Sequence, residues 1–215
     1  MTVLLSYALM TIQFQKSIWV DQCRESLIQI QKKNAHLITQ MLSLNPRSLL
    51  LRKDVLMTEQ KIYIAISTGQ LEALPLLNLR LKYLRSQQKS LDILQKNIIK
   101  NAKDVSEKGI LKARFELNKK IKNDYLSSLG WTVIKYKMAP APQAVFALKP
   151  DDQKLAPTYS PYLNFERRQS IALSWQTQYE FPKILNLASQ TTINSQCRVS
   201  IKEGLWKAII QRDRL

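Results

Sequence analysis

The chain has 215 residues, 45% of them hydrophobic and 23% charged, so it can bury a core and is not a disordered segment. Its 33 Lys and Arg against 16 Asp and Glu leave a net charge of +17, a field that favours anionic partners such as nucleic acid, lipid headgroups or an acidic protein surface. Four glycines allow no phosphate-cradling loop, the lone His36 is not grouped with either cysteine as a zinc site needs, and its polar Lys-Lys-Asn-Ala-His setting reads as a solvated surface histidine rather than a triad member.

Met1 to Gln15 carries no charged side chain, and no Pro or Gly interrupts the chain before Leu44. A spanning helix needs about 20 mainly apolar residues, so 1–20 reads as a membrane-anchor-like helix. Leu4, Leu5, Leu9 and Ile12 would face lipid, Lys16 would snorkel, and Trp19 would sit at the interface. A helix buried within a bundle accounts for the same residues, and Gln13, Gln15 and Asp21 favour it. Lys16, Arg24, Lys32 and Lys33 follow the apolar run, which by the positive-inside rule alone places the remainder in the cytoplasm. A short basic leader upstream of Met1 would reverse that orientation, and its presence is one expectation.

Residues 21–129 read as a helical stalk or hairpin. Leu27, Ile30, Leu37, Ile38, Met41 and Leu42 continue the first helix at helical spacing. Asn45-Pro46 breaks it, with Asn45 as N-cap of a second helix through Leu49, Leu50, Leu56, Ile62 and Ile66 that ends at Thr68-Gly69. Leu74, Leu77, Leu81, Leu84, Leu91, Leu94 and Ile98 mark a third helix, antiparallel to the second. Lys103 to Leu129 reads as a further helix with Val105, Leu111, Phe115, Ile121 and Tyr125 on its apolar face and a break at Gly109. Each leucine stripe is taken as core.

From residue 130 to 215 six of the eight prolines and many β-branched and aromatic residues signal an antiparallel β-rich domain. Strands are expected at Trp131–Met138, Gln143–Leu148 and Ser170–Phe181, with a loop over Leu155–Tyr162. At the end a two-residue Glu203-Gly204 turn pairs Ile201 with Trp206, Val199 with Ala208 and Cys197 with Ile210. The expected fold class is therefore α+β: an N-terminal apolar helix and helical hairpin followed by a small antiparallel β-rich domain.

Cys23 and Cys197 are either two buried free thiols or a disulfide, which would imply an oxidising compartment. No catalytic, cofactor-binding or metal-ligating residue is expected, and the chain reads as non-enzymatic. The basic excess is spread, +11 over residues 16–128 and +6 beyond, rather than gathered on one face with interleaved aromatics, so nucleic acid is the less favoured partner.

The Met1 to Val20 run, the Cys23 to Leu44 extension, the Asn45-Pro46 break and the closing Cys197-Arg198-Val199 to Leu205-Trp206 hairpin give a layout similar to pilin-like proteins. It resembles most the minor pilins of tight-adherence systems, the TadE-like proteins, though no acidic residue lies early in its apolar helix. The resemblance implies a single-pass membrane protein of a pilus or secretion assembly in the cell envelope. Its partners would be other protein subunits and the membrane, with the C-terminal domain periplasmic or extracellular. The alternative is a soluble, cytoplasmic basic helical protein that binds nucleic acid or an acidic partner.

Overall fold

A computed structural model describes residues 2–127, 132–142, 145–180 and 190–211, with the side chains of 2–5, 8, 9, 124–127, 132–135, 180, 190 and 191 left out. The fold is α+β, with long helices followed by small antiparallel sheets. Helix α1 spans Thr2–Ser43 and α2 Asn45–Ser67; a short 3₁₀ turn at Leu71–Ala73 leads into α3, Leu74–Ser127. Strands β1 (Thr132–Met138), β2 (Leu148–Pro150) and β3 (Tyr159–Pro161), helix α4 (Phe165–Arg168), and strands β4 (Ile171–Glu180), β5 (Gln190–Lys202) and β6 (Lys207–Ile210) follow.

Only Leu44 separates α1 from α2, and it keeps helical angles (φ −83°, ψ −14°). The break originates at Pro46, which has no N–H to give and whose ring crowds the carbonyl four residues back. Asn45 does not cap α2, as its sequence position led us to expect. Its side chain donates to the Tyr159 carbonyl (2.8 Å) and accepts from the Tyr159 N–H (2.9 Å), pairing with a strand as a backbone amide would. The two helices expected over 74–98 and 103–129 are one 54-residue helix, and Gly109 does not break it. A Cβ at Gly109 would lie 2.7 Å from Cγ1 of Ile30, so the glycine permits close approach of α1 rather than ending α3.

The chain divides into two compact units, one of Met1–Ala35, Lys103–Val145 and Glu166–Leu215, the other of His36–Ala102 and Phe146–Phe165. The expected boundaries at 20 and 129 follow chain order, whereas these units follow contact, and α1 and α3 each contribute to both.

In the first unit helices α1 and α3 pack on an antiparallel sheet of order β1-β4-β5-β6. The core combines Trp19, Val20, Cys23, Leu27 and Ile30 of α1 with Ile110, Ala113, Leu117 and Ile121 of α3. Ile171, Leu173 and Trp175 of β4 and Cys197 and Val199 of β5 supply the sheet side, at the period of two that puts alternate residues on one face. Buried polar groups fix the layers. Gln31 donates to the carbonyls of Gln169 (2.5 Å) and Val199 (3.3 Å), and Asn34 donates to the Ser106 hydroxyl (2.8 Å). The Tyr136 hydroxyl on β1 donates to Asn118 of α3.

The β5–β6 hairpin forms with a longer turn than expected: Val199 pairs with Ile210 and Ile201 with Ala208. Glu203 to Trp206 make the connection, with Gly204 at φ 81° and Trp206 at φ 48°. The slip is two residues, so the faces are preserved and Cys197, Val199 and Ile201 stay buried.

In the second unit α2 and the first half of α3 form an antiparallel pair. Ser48 meets Gln95 (3.3 Å) near one end and Glu59 meets Arg85 (2.5 Å) near the other. Their core is Leu51, Val55, Leu84 and Leu91, closed by Ala156 from the β2–β3 connection. Arg52 clamps that connection, pairing with Asp151 (2.7 Å) and donating to the Ala156 carbonyl (3.2 Å). Residues 143–144 of the expected Gln143–Leu148 strand lie outside the described residues, and only Leu148 of the rest is in a strand. The expected loop over Leu155–Tyr162 contains β3, whose Pro161 costs no central ladder bond in a two-stranded pair.

Candidate functional site

Cys23 of α1 and Cys197 of β5 form a disulfide, with Cα atoms 6.1 Å apart and a sequence separation of 174. Both are buried. Helical spacing places Cys23 with Trp19 and Leu27 on the core face of α1, and strand alternation places Cys197 with Val199 and Ile201 on the core face of β5.

The residues assigned to the anchor are placed differently. The side chains of Leu4, Leu5 and Leu9 lie outside the described residues. Ile12 is 3% exposed and packs with Tyr179, Tyr136 and Ile193, while Trp19 is 1% exposed in the main core. Both therefore face protein rather than lipid. Among the described residues no helix is long and apolar enough to cross a membrane.

Other apolar side chains of the same helix are outside the core. Tyr7, Met10, Phe14 and Ile18 are exposed at spacings of three and four, which aligns them as one stripe. Helix α2 carries more. Leu49, Leu56 and Tyr63 recur every seven residues, as do Leu50, Met57 and Ile64 one position on, and all six are exposed. Its buried positions are Ser48, Leu51, Val55, Thr58 and Ala65. Of the stripe expected in the core, Leu49, Leu50, Leu56 and Ile66 thus face outward, with Leu50 at 63% exposure, and Ile62 is half-buried. Leucine stands on too many faces of α2 for periodicity to choose one. The small side chains of Ser48, Thr58 and Ala65 lie instead on its packed face. Leu76, Leu79 and Tyr83 give α3 a similar exposed stripe, and Leu94, Leu111 and Phe115, expected in the core, are exposed as well.

His36 is exposed. Among the described residues no three His, Cys, Asp or Glu side chains group to hold a metal ion. Comparison with protein-family models, curated proteins and solved structures gives no match.

Proposed function

We propose that this chain is a non-enzymatic, exported subunit of a cell-envelope assembly, pilin-like in the TadE sense, that works by packing its α2–α3 hairpin against amphipathic helices of partner subunits. The observation that carries the reading is the pair of seven-residue apolar columns on α2, Leu49/Leu56/Tyr63 and Leu50/Met57/Ile64, left exposed. A seven-residue repeat is the spacing at which one helix packs along another, which supports a helical occupant. Exposed apolar surface of this extent on a charged protein marks an interaction site. The Cys23–Cys197 disulfide supports export, because a bond of this kind persists outside the reducing cytosol. Membrane contact in this reading is peripheral and uses the Tyr7, Met10, Phe14 and Ile18 stripe.

The test is crosslinking in intact cells of the full chain and of a Leu56→Glu/Tyr63→Glu variant. Both positions are exposed, so the variant keeps its fold and disulfide while its crosslinked products disappear. An unchanged crosslinking pattern refutes the reading. The burial of Ile12 and Trp19 favours a second reading, a soluble basic protein that binds nucleic acid or an acidic partner. Steep loss of binding with rising salt would identify it.

A further inference from the structure

The closed end of the α2–α3 hairpin, which lies within the second unit, is apolar on more than one side. Residues 62–79 contain a single charged side chain, Glu72. Tyr63, Ile64 and Ile66 of α2, Leu71 of the 3₁₀ turn, and Leu76 and Leu79 of α3 are all exposed, Tyr63 at 74% and Leu76 at 72%. Successive helix residues turn by about 100°, so Tyr63, Ile64 and Ile66 point to three sides of α2. Between Tyr63 and Ser67 only Ala65 is buried. A partner helix covers one side of such an end, whereas lipid tails cover all of them, and a helix that is apolar all round belongs in an apolar surround.

Basic and tyrosine side chains mark where the apolar end begins. The Glu59–Arg85 pair fixes the register of the two helices. Counted from that pair toward the end at 1.5 Å per residue, Lys61, Tyr83, Lys82, Tyr63 and Arg80 lie about 3–8 Å beyond it. All five are exposed, and among the described residues Lys61, Arg80 and Lys82 make no ion pair. From Arg80 to Leu74, where α3 starts, the helix runs about 9 Å further. An apolar face seated in a membrane interface sinks about 5–10 Å into the headgroup and acyl boundary. Tyrosine is enriched at headgroup depth, and Lys and Arg there attract anionic lipid. The end is far too short to cross a hydrocarbon core about 30 Å thick. We propose that the closed end of this hairpin inserts into one leaflet of an anionic phospholipid membrane. Ile64, Ile66, Leu71, Leu76 and Leu79 enter the acyl chains, and Lys61, Arg80 and Lys82 meet the phosphates. Glu72 opposes insertion, because its carboxylate loses water there. This contact goes beyond the packing of α2 on partner helices, which also engages Leu49, Leu50, Leu56 and Met57, and it is separate from the Tyr7 to Ile18 stripe of the first unit.

The experiment uses the oxidised full chain, in which Cys23 and Cys197 are blocked by their disulfide. Leu76→Cys and, as control, Leu56→Cys each carry a nitrobenzoxadiazole fluorophore on the added thiol; both positions are exposed, so the fold is kept. Vesicles of phosphatidylglycerol are titrated in, with phosphatidylcholine for comparison. The expected result is a saturable blue shift and brightening at position 76 with phosphatidylglycerol, quenched by a spin label high on the acyl chain, while position 56 stays as in water. Lys61→Gln, Arg80→Gln and Lys82→Gln each weaken binding about fivefold, the worth of one basic residue at an anionic surface, and Glu72→Gln tightens it. No response at position 76 up to about 1 mM lipid, ten times the dissociation constant of a single myristoyl chain, overturns the proposal. So does equal binding by the wild type and the variant carrying all three Gln substitutions. A blue shift without vesicles that grows with protein concentration also overturns it and assigns the end to a second copy of the chain. Sedimentation with vesicles while position 76 stays in water places membrane contact elsewhere; it ends this proposal and leaves the envelope-subunit reading to its own crosslinking test.

Discussion

At Gly109 two effects oppose each other. Replacing glycine with alanine inside a helix gains about 1 kcal/mol of propensity. The new Cβ would meet Ile30 Cγ1 at 2.7 Å and Cδ1 at 2.9 Å, and overpacking of that kind costs about 1–3 kcal/mol. The contact outweighs the propensity, so Gly109→Ala is expected to lower stability by about 1 kcal/mol in urea unfolding. In an Ile30→Ala background the same change becomes neutral or stabilising, which isolates the contact as the cause. Asn45 gives a second residue-scale prediction. Asn45→Ala removes both hydrogen bonds to Tyr159 and strands a backbone donor and acceptor. At about 1 kcal/mol each the loss is about 2 kcal/mol, with faster hydrogen exchange at the Tyr159 amide.

The β2–β3 connection is the element most dependent on charge. Burial pushes the Asp151 carboxyl up, but hydrogen bonds from the Arg52 and Thr158 side chains and from the Gln153 and Thr158 N–H groups outweigh it and hold the carboxyl below its usual value. A carboxyl depressed in the folded state stabilises it fully above the unfolded value of about 3.9, and that contribution disappears as pH falls through the lower folded value. Acid titration should therefore loosen this connection below about pH 4. Asp151→Asn should remove that acid-dependent part and lower stability at neutral pH, as followed by exchange at the Asp151 N–H bonded to the Thr158 carbonyl. The β5–β6 hairpin shows how an element tolerates error in its turn. A slip of two residues changes every cross-strand partner and leaves every face as it was, so the burial of Cys197 does not depend on the turn type.

For the whole molecule the disulfide is the largest single constraint. It closes a loop of 174 residues, and in the chain-entropy account a loop of that length stabilises by about 5 kcal/mol. Reduction should lower the unfolding free energy by several kcal/mol. Thiol labelling should find both cysteines blocked in the native protein and reactive only after reduction and unfolding. If instead they label after unfolding without reductant, the export argument for an envelope subunit falls with the bond.

The α+β class, the unbroken first helix, the helix end at Thr68-Gly69 and the alternation of β4 and β5 follow from local chemistry, because breakers and periodicity act within a few residues of one another. The apolar face of α1 from Leu27 to Met41 was legible for the same reason, since polar residues fill the other side. Which face of α2 packs inward was not legible: leucines occur all round it, and the choice fell to Ser48, Thr58 and Ala65. Likewise the sequence shows Ile12 and Trp19 as apolar but not what they touch, and the sheet supplied that answer. The meeting of Cys23 with Cys197, the pairing of Asn45 with Tyr159 and the bonds from Gln31 to Gln169 and Val199 all join residues far apart in the chain. Local sequence determined the elements because their energetics are local. Tertiary structure alone decided the partners, because contacts across more than a hundred residues exist only once the helices and the sheet have packed.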